Sequence, residues 1–165
     1  METQKIYILG ISGSGKSYLA KLLSEKLKIS YCELDDIYWS KKYSEKLDKD
    51  ERVEKLNKIV KKEKWIMEGV YSSWVLDAIN SADLVIWLKT PVHKRIFRIV
   101  KRKLKNYDRD TWRGTFDLVR YSLMYRVRRK KANYSAHKNL LKENNIEYTV
   151  VKSKKDFSGL LEELK

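Results

Sequence analysis

Gly10, Gly15, Lys16 and Ser17 stand in the order G-x-x-x-x-G-K-[ST], a spacing suited to holding the phosphates of a nucleotide. Glycines let the backbone wrap closely and turn its N–H groups toward phosphate oxygens. Lys16 is long enough to reach the β and γ phosphates, and the Ser17 hydroxyl is a ligand for Mg²⁺. Ser12, Gly13, Ser14 and Tyr18 complete the candidate cofactor-binding set with those four. ATP and Mg²⁺ are the expected cofactors, because guanine readers carry N-K-x-D and the nearest stretch, Asn57-Lys58-Ile59-Val60, lacks the aspartate. Phosphoryl transfer asks for two further things, a carboxylate near the γ phosphate and arginines for the charge that builds there.

The elements that must position these residues follow from apolar patterning. Ile6–Leu9 is an unbroken apolar run ending at Gly10, which predicts a buried strand. Lys16 to Lys28 predicts a helix with Leu19, Leu22, Leu23 and Leu27 on one stripe. Further strands are expected over Ile29–Leu34, Trp65–Met67, Asp83–Leu88 and Ile146–Val151. Helices are expected over Asp48–Glu63, Ser73–Ile79, from Thr90-Pro91 onward, Phe116–Glu143 and Asp156–Lys165. Thr90 reads as the N-cap, and Val92, Ile96, Ile99, Val100 and Leu104 as the inner stripe behind it. Within Phe116–Glu143, Leu118, Tyr121, Ser122 and Tyr125 point to the core. Lys41–Ser44 and Asn106–Gly114 read as polar loops. Five alternations of strand and helix predict an α/β fold, a five-stranded parallel sheet with helices on both faces. Ligands of such sheets sit at the carboxyl ends of the strands.

With the loop, Leu34-Asp35-Asp36-Ile37-Tyr38-Trp39 and Trp65-Ile66-Met67-Glu68-Gly69-Val70-Tyr71-Ser72 quoted, the chain resembles the adenylate-kinase-like P-loop proteins known as DNA topology modulation proteins (FlaR-like). The resemblance covers nearly the whole length. It implies a three-layer P-loop NTPase fold, nucleoside-monophosphate-kinase-like, with a lid over about residues 106–114. It also implies roles. Asp35 would orient an acceptor hydroxyl or, with Ser17, serve Mg²⁺ through water. Glu68, Gly69 and Tyr71 would join Asp35 at the acceptor, and Arg109, Arg113, Arg126 and Arg128 would close over the phosphates beside Lys16. The chain departs from the family pattern at Val70, where asparagine is expected, at Ser73, where an arginine should follow, and at Glu68 in place of aspartate.

Composition bounds the rest. A chain of 165 residues is the size of one domain, here 1–165, and its hydrophobic share of 42% fits a globular protein. Cys32 is the one cysteine, so no internal disulfide forms. With no secretory pattern at the start and no spanning apolar run, a cytoplasmic protein is expected. His93 and His137 stand apart from other metal-ligating residues and read as structural. The formal charge is +15, and between Lys89 and Lys142 there are 18 Lys and Arg against Asp108, Asp110 and Asp117, so the whole excess lies in that stretch. Arg95, Arg98 and Arg102 read there as a solvated face. Two functions fit. One is a kinase moving the ATP γ phosphate to a small, anionic or nucleotide-like acceptor. The other is an ATP-dependent nucleic-acid binder using the basic 89–142 segment.

Overall fold

A computed structural model of the chain describes residues 3–41, 45–105, 111–127 and 132–164. In chain order the elements are β1 (Lys5–Gly10), α1 (Lys16–Leu27), β2 (Tyr31–Glu33), α2 (Leu34–Tyr38), β3 (Trp39–Lys41) and β4 (Glu45–Lys46). There follow α3 (Lys49–Val60), β5 (Trp65–Gly69), α4 (Leu76–Asn80), β6 (Leu84–Leu88) and α5 (Val92–Leu104). The chain closes with α6 (Trp112–Leu123), a 3₁₀ turn (Met124–Arg126), α7 (Tyr134–Glu143), β7 (Thr149–Val151) and α8 (Lys154–Glu163).

Five strands form one sheet in the order β2-β5-β1-β6-β7, every pair parallel. Its side chains alternate between two cores, as the period of a strand demands. Tyr7, Leu9, Trp65, Met67 and Trp87 pack with Leu34, Leu56, Ala78 and Leu141 on one face. Ile6, Ile8, Ile66 and Ile86 pack with Leu19, Ala20, Leu23 and Leu160 on the other. Burial on both faces explains why these strands read as continuous apolar runs. Register places Leu9 beside Gly69 and Gly10 beside Leu88. The loop after β1 therefore opens between the ends of β5 and β6.

Several expectations change in detail. The second strand stops at Glu33, because Leu34 turns the chain into α2 and lodges against Gly69, where an added Cβ would come within 2.7 Å of its side chain. Asp35 and Asp36 then fall in the first turn of α2, where the helix dipole favours acids. Trp39–Lys41 and Glu45–Lys46 form an antiparallel hairpin that periodicity did not indicate. The expected helix over Phe116–Glu143 is divided. Thr111 caps α6 by accepting from the Gly114 amide, and Asn133 caps α7 by accepting from that of Ala136. Leu118 and Tyr121 face a cleft instead of the core, while Ser122 and Tyr125 are buried. On α5 the buried positions are Arg95 and Ile99, and Val92 and Leu104 stay exposed. Residues 106–110 of the expected lid lie outside the described residues, and 111–114 belong to the cap and first turn of α6.

Candidate active site

The loop from Gly10 to Ser17 is shaped by two left-handed glycines, Gly13 at φ 77° and Gly15 at φ 101°. A Cβ on Gly13 would lie 2.6 Å from the Arg95 carbonyl oxygen, so the loop presses against α5 there. Its outer carbonyls are tied down. The Thr90 hydroxyl donates to Ser14 O at 2.8 Å, and Arg98 Nη1 donates to Ser14 O at 2.7 Å and to Gly13 O at 3.3 Å. Thr90 thus braces the loop rather than capping α5, whose cap position is Pro91. Gly15 begins α1 with no side-chain cap and no acid in the first turn. A twelve-residue helix opening in this way presents unsatisfied amides and the positive end of its dipole. Left-handed glycines, a helix start without an acid, a lysine and a hydroxyl are the donor set that a nucleotide polyphosphate with its divalent cation requires.

Lys16 and Ser17 converge on one carboxylate. Lys16 Nζ lies 3.4 Å from Glu68 Oε2, and the Ser17 hydroxyl donates to Glu68 Oε1. Glu68 is the next-to-last residue of β5, is 5% exposed, and stands next to the loop because β5 pairs with β1. Across the same cleft, Asp35 Oδ1 accepts from the Tyr71 hydroxyl at 2.7 Å. Burial, then the neighbouring Asp35 carboxylate, pushes the Tyr71 phenol far above its ordinary range, so it serves as donor. Tyr71 is also stacked on Tyr38, with ring centroids 4.7 Å apart. These contacts gather Ser12, Gly13, Gly15, Lys16, Ser17, Tyr18, Asp35 and Glu68 around a cleft of about 1170 Å³.

Other candidates fall elsewhere. Gly10 is the last residue of β1 and Ser14 is buried beneath the loop. Gly69 is buried under Leu34, which makes its role one of close packing. Tyr71 reaches the cleft through Asp35. Arg113 and Arg126 are exposed and do not line the cleft, and Arg126 lies over the Tyr134 ring at 5.7 Å. Arg109 and Arg128 lie outside the described residues. Among the described residues, the arginines that line the cleft are Arg98, Arg102 and Arg120. Helical spacing alone could not separate Arg98 and Arg102 from a solvated face. The missed signal is their place about two and three turns behind Pro91, after a strand that ends beside the loop.

His137 is fully buried on α7 and bonded at both nitrogens, to Val70 O at 2.7 Å and to the Tyr125 hydroxyl at 2.6 Å. A carbonyl only accepts, so Nε2 carries the proton and Nδ1 accepts from Tyr125. Burial lowers its pKa to about 4. His137 is therefore a neutral brace on the segment between Glu68 and Tyr71, in line with the structural role expected. Among the described residues no helix is long and apolar enough to cross a membrane.

Comparison with known proteins agrees with this geometry. A family model described as an AAA domain matches residues 6–116. The uncharacterized protein YqaC of Bacillus subtilis is 33% identical over 112 residues, covering 67% of this chain and 63% of that protein. A cytidylate kinase of Sulfolobus acidocaldarius is 34% identical over 113 residues, covering 59% of this chain and 61% of that one. The chain thus spans about six tenths of the length of the curated relatives it matches. Among solved structures, a shikimate kinase from Bacteroides thetaiotaomicron superposes with a TM-score of 0.63 at 13% identity, covering 98% of both chains. An uncharacterized protein from Eubacterium ventriosum gives 0.55 at 12% identity, again over 98% of both. The five parallel strands flanked by helices are thus the architecture of the P-loop kinases, and the chain belongs to the AAA domain family.

Proposed function

We propose that the protein is a small-molecule kinase that transfers the γ phosphate of ATP to a small, anionic or nucleotide-like acceptor. The observation that carries this reading is the convergence of Lys16 and Ser17 on Glu68, with Asp35 held by Tyr71 on the same cleft. Mg-ATP, when bound, supplies the phosphoryl group and neutralises part of its charge. The amides of the loop and of the first turn of α1 hold phosphate oxygens, and Lys16 lies beside them. Ser17 and Glu68 are placed to serve the cation, directly and through water. Asp35 orients the acceptor hydroxyl and can receive its proton, and Tyr71 fixes which oxygen remains for that task. Arg98, Arg102 and Arg120 supply positive charge, with Arg109, Arg113, Arg126 and Arg128 retained as residues that closure of the cleft would bring in. The kinase names of several relatives and the resemblance to nucleoside monophosphate kinases support the reading.

ADP release from Mg-ATP across a panel of nucleoside monophosphates and small hydroxylated acids tests it. One acceptor should stimulate turnover, and Lys16→Ala and Asp35→Ala should each lower it at least a hundredfold. Turnover that no acceptor stimulates, or that survives Asp35→Ala, would count against transfer.

A second reading, an ATP-dependent nucleic-acid binder of the DNA topology modulation type, draws on one observation. Phe97, Trp112 and Phe116 are 62%, 63% and 75% exposed among the basic residues of α5 and α6. Exposed rings between cations are what single-stranded nucleic acid stacks on.

A further inference from the structure

The outer side of α5 and α6 reverses the usual placing of residues. On α6 the buried positions are Thr115 and Ser122. Trp112, Phe116 and Leu123, at i, i+4 and i+11 on one stripe, are each more than half exposed. On α5, Phe97 and Leu104 share a stripe with Lys101 and are exposed to the same degree, as is Val127 just after the 3₁₀ turn. Lys101 Nζ lies 5.7 Å from the Phe97 ring centroid, and Lys103 Nζ lies 5.8 Å from that of Trp112, which joins the two stripes. Elsewhere among the described residues, large exposed apolar side chains stand singly on α1, β2 and α4 and before β7. A helix that buries hydroxyls and shows rings keeps its apolar stripe for something outside the chain.

Charge selects among the candidates. α5 carries no acid, and the one acid of α6, Asp117, lines the cleft. A second copy would set Lys101, Lys103 and Arg113 against their own images across a two-fold axis, like charge on like. Single-stranded nucleic acid matches the charge and the rings, but Leu104, Leu123 and Val127 offer no face on which a base can stack. A bilayer with anionic headgroups matches all three features. Rings and aliphatic side chains enter at the acyl boundary, and lysines lay down their stems and keep their ammoniums among the phosphates. We infer that the outer side of α5 and α6 docks on an anionic membrane surface, with Trp112, Phe116 and Leu123 entering it and Lys101 and Lys103 meeting headgroups. α6 also lines the cleft through Leu118 and Tyr121, so docking sets the cleft beside the headgroups. The inference does not rest on the kinase reading.

Docking can be read without turnover. The full chain is mixed with vesicles of phosphatidylcholine, alone or with about 30 mol% phosphatidylserine, at about 150 mM salt, and bound protein is measured by sedimentation. Partition into the anionic vesicles is expected, at least about tenfold above that into the neutral ones. Trp112 is the most exposed of the five tryptophans. Vesicles with brominated acyl chains should therefore quench part of the emission, and Trp112→Phe should remove that part. Phe116→Ser with Leu123→Ser should weaken partition about tenfold or more, and Lys101→Gln with Lys103→Gln about fivefold or more. Thermal melting checks that each pair folds, and should the first pair not fold, the second carries the test. No partition into anionic vesicles, partition unchanged in a folded pair, or binding without bromine quenching would overturn the inference. In protein that ignores vesicles, a labelled single strand released by the first pair would give the surface to nucleic acid, and a dimer dissociated by it would give the surface to a second copy. Vesicle binding without turnover would count against the kinase reading only. Turnover without vesicle binding would count against this surface only.

Discussion

Gly13 carries two constraints that a single added methyl would violate. Its φ of 77° is one that L side chains rarely adopt, and the Cβ would meet the Arg95 carbonyl oxygen, a backbone atom that cannot swing away. Gly13→Ala is expected to destabilise the protein by about 2–3 kcal/mol and to weaken nucleotide binding at least tenfold. Urea unfolding and ADP titration check the two parts. Gly159 in α8 supplies the control, since a Cβ there meets nothing within 4 Å. Gly159→Ala should raise stability by about 0.5–1 kcal/mol, because alanine loses less backbone entropy on folding. The same chemical change is thus expected to act with opposite sign at the two positions.

At the scale of elements, α7 is fastened to the end of β5 through His137, whose two hydrogen bonds require the neutral ring. Burial lowers its pKa from 6.5 to about 4, so the unfolded chain binds its proton more readily than the folded one. Stability from this group is fully present above about pH 6.5 and is lost as pH falls toward 4. The difference amounts to about 3 kcal/mol across that window. Unfolding followed between pH 7 and pH 4 should show this slope, and His137→Gln should flatten it while lowering stability at pH 7. A slope unchanged in the variant would assign the acid sensitivity to carboxylates instead. Because Val70 lies between Glu68 and Tyr71, the same variant loosens the segment that carries both.

Over the whole molecule, the formal excess of +15 lies in one stretch of the chain, and the fold divides its uses. Arg98, Arg102 and Arg120 face the cleft, and Arg95 is buried against the loop. Lys101 and Lys103 remain outside, near the Phe97 and Trp112 rings. On the proposed kinase reading the cleft arginines serve a ligand of few charges, so turnover with a small acceptor should change less than about threefold between about 50 and 200 mM salt. Oligonucleotide binding by the outer face would fall by about 10³ over the same range, through counterion release. Fluorescence anisotropy with a labelled single strand, beside the turnover assay, separates these behaviours. Oligonucleotide binding that survives the higher salt but is lost in Trp112→Ala would show stacking to dominate.

The sequence by itself determined what is local. The phosphate loop is eight consecutive residues whose backbone shape follows from its own glycines, and the buried strands announce themselves as apolar runs because both sheet faces are covered. Caps were less legible: Thr90, read as the cap of α5, braces the loop instead, and the capping box of Ser153 with Asp156 was not among the expectations. What only the tertiary structure decided lies between residues far apart in the chain. Ser17 and Glu68 are separated by 51 positions, Asp35 and Tyr71 by 36, and Ser14 and Arg98 by 84. Their meeting depends on strand order and register, which bring β5 beside β1 and leave α5 against the loop. Periodicity marks which face of an element is apolar, but not which element will cover it. For that reason Arg98 and Arg102 could not be told from a solvated face, nor Leu118 and Tyr121 from core, until the sheet had set where each helix packs.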